Sequence, residues 1–399
     1  MNQLNNLMAS PQLLLAKAHI LGQNSDNAVD RLYQFDSFNK DEKWKTAFFA
    51  AMRETLHIQY QDYDFYRKLM RLADCELASF QCFEDLLSIP YISSSVLKKY
   101  TLSSTALEAP TLNILSSGTS GQKAEITIDE TSLVRIVAGI LKVYGEFGLA
   151  SPEPANYLFA GYSPDASNGA GTAGTDSVVS HLTPSLANFY ALDLDAQGRT
   201  VFLLEQAVET LRAYVLTAKP IRILGFLHYS CEIIKAYHHK YGEVKFPDDS
   251  YILSGGGWKE FAHLYGEDFN LYAYLTRFSN MPASAIRDSY SLVEHPALYV
   301  ACEKNKLHVS ALAHVVIRDL RSMEELAHGE TGLVQLFTPI LQSYPSASLL
   351  SSDLGYLEQH CACGRVGDYL TITGRGGSKK AMSCALHAEQ YLAKDHHAQ

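Results

Sequence analysis

Residues 115–123, LSSGTSGQK, hold the densest set of groups that could bind an anion. Glycines let the backbone approach a phosphate closely, hydroxyl and N–H groups can donate to its oxygens, and Lys123 supplies charge. The spacing is not that of a P-loop, and a strand is predicted after it where a helix should follow. Composition alone also allows a tight Ser/Gly turn. The candidate phosphate ligands are Ser116, Ser117, Gly118, Thr119, Ser120 and Gly121.

Three cysteines and one histidine in the C-terminal part form a candidate metal set: Cys302, His308, Cys361 and Cys363. Three thiols and an imidazole are the ligands of a closed structural zinc site, and they suit Zn²⁺ better than Mg²⁺. The alternative is four unlinked residues, because a Cys-x-Cys pair is tighter than the usual ligand spacing.

Cys384 lies near the C-terminus in the sequence MSCALH, with His387 three residues later. If this segment is helical, the imidazole lies beside the thiol and could lower its pKa, which favours a nucleophile. A buried, inert cysteine on an amphipathic helix is the competing interpretation.

The overall charge and hydropathy exclude several classes of function. The 399 residues include 33 Lys+Arg and 43 Asp+Glu, a net charge of −10, which disfavours binding to a nucleic-acid backbone. The chain has no apolar run of about 18 residues, so no membrane span is expected. Its start has no basic residue ahead of the apolar stretch, and seven cysteines suit a reducing compartment. We therefore predict a cytoplasmic protein without a signal peptide.

The elements that must position these residues are predicted from periodicity. Residues 1–100 form a helical layer, with Trp44, Phe48, Met52, Leu56 and Tyr60 on one apolar face. Strand-like runs then alternate with amphipathic helices, which indicates an α/β fold with mixed sheets flanked by helices. The runs are 111–115, 123–128, 156–162, 221–226, 251–256 and 285–290, followed by 297–303, 306–320, 331–340 and 369–375.

Four segments are expected from these changes of pattern. They are a helical layer packed on the main domain (1–100), an α/β core (101–296), a smaller β-rich subdomain (297–375) and a short C-terminal segment (376–399).

Four ordered segments resemble motifs of the adenylate-forming acyl-activating enzymes, which condense a carboxylate with ATP. SSGTSGQK resembles their phosphate-binding loop, and Asp288–Glu294 resembles their aromatic-x-x-x-Glu segment. The resemblance implies that Tyr290 covers the nucleotide and that Glu294 holds Mg²⁺. It also implies that Asp353, in SDLG, grips the ribose hydroxyls and that Gly374-Arg375 is the hinge pair before a C-terminal domain.

A narrower resemblance, over residues 40–390, is to the acyl-protein synthetases of the bioluminescence fatty-acid reductase system. It is carried by DFYRKL, EDLLSIPYI, the segment SGGGWK (254–259) and CACGR (361–365). Phenylacetate–CoA ligases share part of it. In this branch a cysteine placed like Cys384 accepts the acyl group. The triplet Gly255, Gly256 and Gly257 would bring backbone close to the adenine or the acyl carbonyl, unless it is only a turn. Only 24 residues follow Arg375, so a truncated C-terminal domain is expected.

These resemblances predict an acid–thiol ligase that converts ATP to AMP and pyrophosphate. Glu294, the 116–121 loop and Lys123 would neutralise the triphosphate with Mg²⁺. The expected partners are a carboxylic acid and CoA, a carrier protein or a reductase, with structural Zn²⁺ as a further ligand. Two alternatives are an acyl- or aryl-CoA or carrier-protein ligase of a biosynthetic pathway, and a degenerate non-catalytic subunit.

Overall fold

The computed structural model describes residues 10–23, 25–100, 102, 112–115, 124–167, 178–255 and 270–376. No helix in these ranges is long and apolar enough to cross a membrane. The helices are α1 (Pro11–His19), α2 (Ala28–Arg31), α3 (Glu42–Asp62), α4 (Asp64–Leu72), α5 (Ser94–Lys99), α6 (Glu130–Glu146), α7 (Leu204–Leu216), α8 (Leu227–Tyr241) and α9 (Leu271–Phe278).

Helix α3 is the longest element of the N-terminal layer. The Asp41 side chain caps its start by accepting a hydrogen bond from the Trp44 N–H. The predicted apolar face is correct as far as Leu56, but Tyr60 is only half-buried and Gln59 is buried in its place. This face therefore continues with polar side chains, which an apolar pattern cannot predict.

Within the described residues, the strands fall into three sheets. They are β1 (Ile92–Ser93), β2 (Leu112–Leu115), β3 (Glu125–Ile128), β4 (Ala155–Tyr162), β5 (Ser185–Leu194), β6 (Thr200–Phe202), β7 (Ile221–Phe226), β8 (Tyr251–Gly255), β9 (Ile286–Leu292), β10 (His295–Val300), β11 (Leu307–His308), β12 (His314–Arg318), β13 (Gly332–Phe337), β14 (Ser348–Glu358) and β15 (Tyr369–Arg375).

The six-stranded sheet has the order β11-β15-β14-β13-β12, and β1 adds to β14 in parallel. Its central strand β14 was missed by the sequence analysis because its serines dilute the apolar run. Ser348 and Ser351 are buried within the sheet, and Ser352 is half-buried, so these serines lie in a strand rather than in a loop.

The seven-stranded sheet has the order β10-β9-β8-β7-β4-β5-β6, with β5, β4, β7, β8 and β9 in parallel. Helices α7 and α8 pack on it through an apolar core that includes Leu158, Leu211, Ile223 and Ile234. Such near-continuous apolar strands are typical of parallel sheets covered by helices. The third sheet is the antiparallel β2–β3 hairpin.

The chain divides into two compact units. The first unit contains the described residues of Met1–Val143, Leu292–Tyr299 and His308–Gln399, and the second contains those of Tyr144–Ser291 and Val300–Leu307. The α/β class with mixed sheets and flanking helices is confirmed. The four-segment division stays a prediction.

Candidate functional site

Two carboxylates and one guanidinium of the predicted nucleotide site lie in the first unit. Strands β14 and β15 place Asp353 opposite Arg375, with 3.5 Å between Oδ1 and Nε. The Arg375 side chain is 63% exposed, whereas Asp353 is buried. Glu294, in the turn between β9 and β10, is only 2% exposed. The exposed Arg375 guanidinium thus lies beside the buried Asp353 carboxylate.

The surroundings of Glu294 disfavour the charged form of its carboxyl. Burial raises the pKa of this carboxyl, its own backbone N–H and Lys98 lower it, and the charge of Asp353 raises it. A buried carboxylate beside a second acid is stabilised by a cation. Oxygen donors of this kind are those that Mg²⁺ prefers.

Two residues beside Glu294 belong to no motif found in the sequence. Lys98, on α5, acts on its charge, and Tyr344 is buried close enough for Glu294 to raise the pKa of the phenol. Strand β1, directly before α5, pairs with β14, and so this helix starts beside the strand that carries Asp353. No sequence spacing signals either electrostatic interaction, because only the tertiary fold brings these residues near Glu294.

In the second unit, β8 and β9 position Gly255 and Tyr290. Gly255 lies opposite Ser289, and a Cβ added to it would be 2.8 Å from the Ser289 Oγ. That hydroxyl donates to the Ser254 carbonyl at 2.9 Å. A side chain at position 255 would therefore crowd strand β9. The predicted approach of Gly255 to a ligand stays a prediction. Tyr290 is half-buried on β9.

Several predicted site residues lie outside the described residues. They are Ser116, Ser117, Gly118, Thr119, Ser120, Gly121, Lys123, Gly256, Gly257, Cys384 and His387. The strands on either side of the 116–123 segment are described, and they pair so that Leu115 faces Glu125.

The predicted metal set is brought together. One ligand atom from each of Cys302, His308, Cys361 and Cys363 lies within 4.8 Å of all the others. The Cys363 Sγ is 3.3 Å from the His308 Nε2, and all but Cys363 are buried. Three sulfurs and a nitrogen at such separations fit a tetrahedral zinc ion with bonds of about 2.0–2.3 Å.

The fold matches that of an adenylate-forming ligase. Crystal structures of 2-hydroxyisobutyryl-CoA ligase superpose on this chain. The one in the postadenylation state with 2-HIB-AMP gives a TM-score of 0.61 at 13% identity, over 85% of this chain and 69% of that one. The one with R3-HIB-AMP gives 0.59 at 13% identity, over 83% and 67%. These likenesses define an adenylate-forming ligase fold.

The family follows from the sequence. The model of the acyl-protein synthetase family LuxE matches residues 22–393, so the chain belongs to that family. It is 24% identical to the long-chain-fatty-acid–luciferin-component ligase of Vibrio harveyi, over 84% of this chain and 86% of the relative. The protein of the same name from Aliivibrio fischeri is 25% identical, over 68% and 70%.

The predicted class of activity is thereby confirmed. As an acyl-protein synthetase with an adenylate-forming fold, the chain is a ligase that activates a carboxylic acid with ATP and passes the acyl group on.

Proposed function

We propose that Glu294 and Asp353 are the carboxylates around which Mg–ATP binds. The observation that carries this proposal is the pair of buried acids in the first unit, with Lys98 and Arg375 as the nearby cations. Glu294 would hold the metal, whose charge neutralises the phosphates, and Asp353 would accept from the ribose hydroxyls. For the second unit, the proposal from the motifs alone is that the Gly255–Gly257 triplet and Tyr290 are nucleotide-binding residues.

The phosphates would be held by residues 116–121 and by Lys123. The β2–β3 hairpin supports this role, because paired strands fix both ends of the segment that joins them. Backbone N–H groups and one lysine would then donate to the phosphate oxygens as the carboxylate of the acid attacks.

The acyl acceptor we propose is the Cys384 thiol, activated by His387. A thiolate attacks the acyl-adenylate carbonyl, AMP leaves, and the acyl group is held as a thioester. A reductase would then receive the acyl group from this thioester. CoA or a carrier protein is the alternative acceptor. The names of the two relatives favour a long-chain fatty acid as the substrate. We also propose a cytoplasmic location.

A structural zinc ion is proposed at Cys302, His308, Cys361 and Cys363. The fit of the four donor atoms supports it. The ion would crosslink two separate stretches of chain and supply no chemistry to the acyl transfer.

Exchange of pyrophosphate into ATP, dependent on a fatty acid, tests the proposal. Glu294→Gln should reduce exchange about 100-fold or more, since a metal ligand is lost. The exposed Glu324→Gln serves as its control. Cys384→Ser should keep exchange and lose hydroxylamine-labile acylation of the protein, unlike Cys82→Ser at an exposed cysteine. Normal exchange in Glu294→Gln contradicts the metal role, and normal self-acylation in Cys384→Ser favours CoA or a carrier protein.

A further inference from the structure

Strand β14 is irregular where it carries Asp353. On the side of β13, Val334 alone lies opposite three residues of β14, Ser351–Asp353. The Ser351 hydroxyl accepts a hydrogen bond from the Asp353 backbone N–H at 3.1 Å, so this N–H is bonded within β14 itself. β-Bulges redirect side chains and are frequent next to active sites. The interrupted pairing therefore singles out the position of Asp353.

Strand β15 contains one extra residue beside the same position. Gly355 pairs with Ile372, whereas the preceding Leu354 pairs with Gly374. Thr373 is thus the extra residue of a second β-bulge. Its hydroxyl donates to the Leu354 carbonyl at 3.3 Å, which ties the bulged residue to the opposite strand.

This second bulge decides which face of the sheet Arg375 occupies. Paired residues share a face, and Asp353 pairs with Arg375, whose Nε lies 3.5 Å from the Asp353 Oδ1. Without Thr373, the regular register would pair Asp353 with Gly374 instead. Arg375 would then point to the opposite face, because successive side chains of a strand alternate between the two faces.

We infer that Thr373 is a positioning residue for nucleotide binding, because the bulge turns the Arg375 guanidinium towards the Asp353 carboxylate. The acid would accept from the ribose hydroxyls. The guanidinium, which is 63% exposed, would orient the acid and donate to an oxygen of the nucleotide. This inference rests on the proposed function, since it takes Asp353 as the ribose ligand.

A swap of two neighbouring residues tests the inference at constant chain length. In Gly374→Arg/Arg375→Gly, which we term the swapped variant, the arginine moves by one position and points to the other face. A Cβ added to Gly374 would meet no neighbouring heavy atom of the described residues within 4 Å, so the new side chain has room. KM for ATP in acid-dependent pyrophosphate exchange should rise about tenfold, as in Arg375→Ala.

Deletion of Thr373 removes the bulge and should raise KM for ATP to the same extent. Adding Gly374→Arg to the deletion places an arginine opposite Asp353 again and should restore most of the loss. Adding Arg375→Ala to the deletion should have no further effect, because the guanidinium already points away. Deletion of Leu186, the extra residue where β5 pairs with β4, is the matched control and should leave KM for ATP unchanged.

Three results would overturn the inference. They are a normal KM for ATP in the swapped variant or in Arg375→Ala, a normal KM after deletion of Thr373, and equal losses in the deletion with and without Gly374→Arg. If the deletion abolishes the cooperative melting transition, the swapped variant decides alone.

Asp353→Asn separates this inference from the proposed function. If it raises KM for ATP while the swapped variant and the deletion of Thr373 do not, the proposed function stands and only this inference fails. A normal KM for ATP in Asp353→Asn contradicts the proposed ribose contact, and the inference fails with it.

Discussion

At the scale of single residues, the proposed nucleotide site in the first unit contains buried carboxyl groups. In the first unit, Glu294 and Asp353 are both buried, and burial raises the pKa of the Glu294 carboxyl. In the second unit, Asp288 is half-buried on β9, and desolvation raises the pKa of its carboxyl to about 6. Acidic side chains with perturbed pKa values are common at functional sites, because the charge of a bound ligand can offset the cost of their desolvation.

Asp288 should make the stability of the ligand-free protein depend on pH. Its folded pKa of about 6 exceeds the ordinary 3.8, so the folded state keeps a proton that the unfolded state releases. The resulting stabilisation is complete below pH 3.8 and is lost as pH rises through about 6. Asp288→Asn should therefore stabilise the protein more near pH 7 than near pH 4.5. The two changes in the free energy of unfolding should differ by about 1–3 kcal/mol.

Denaturant titrations at both pH values measure this, with the exposed Asp248→Asn as control. Equal effects of Asp288→Asn at the two pH values would show that its carboxyl is not penalised by burial.

At the scale of elements, two connections bring the Cys/His cluster together. The stretch before β11 supplies Cys302, and that between β14 and β15 supplies Cys361 and Cys363. Strand β11 lies beside β15, so pairing of the two strands brings these stretches into proximity. Metal ligation and strand pairing should reinforce each other, because a site of this kind does not exist in the unfolded chain.

Metal analysis should find about one zinc ion per chain, and removal by a chelator should lower the melting temperature by several degrees. Cys361→Ser should lose the metal and reproduce that shift, whereas Cys75→Ser, at a cysteine outside the cluster, should keep it. A structural zinc site would be excluded if the purified protein lacks zinc and its melting temperature does not change on addition of a chelator.

At the scale of the whole molecule, one buried arginine ties distant parts of the first unit together. Arg135, on α6, is 1% exposed and donates to Asp30 at 2.7 Å, to Asn27 at 2.8 Å and to Gln342 at 2.6 Å. Asp30 and Asn27 lie in the N-terminal layer, and Gln342 lies in residues 338–347, a buried stretch of irregular backbone. Through Arg135, hydrogen bonds thus connect the N-terminal layer to the stretch that leads into β14.

Arg135→Met should cost about 3–5 kcal/mol of unfolding free energy, because it leaves Asp30 and Gln342 without their shared donor. Arg199→Met is the matched control. Arg199 also lies 2.7 Å from an acid, Asp195, but it is 75% exposed, so its loss should cost less than about 1 kcal/mol. Chemical denaturation of both variants measures the difference, and similar costs would show that the Arg135 network is not stabilising.

The sequence by itself determined the class of fold, the main helices and most strands, since apolar periodicity is a local property. It also determined the family, because ordered motifs such as Asp288–Glu294 and Gly374-Arg375 persist in the chain. Only the tertiary structure decided what depends on residues far apart in sequence. The serine-rich β14 is a central strand of its sheet, and the buried Gln59 side chain donates to the Leu341 carbonyl. Cys302 lies close to Cys361. The physical reason is that burial, pairing and pKa are set by neighbours in space, which local patterns do not contain.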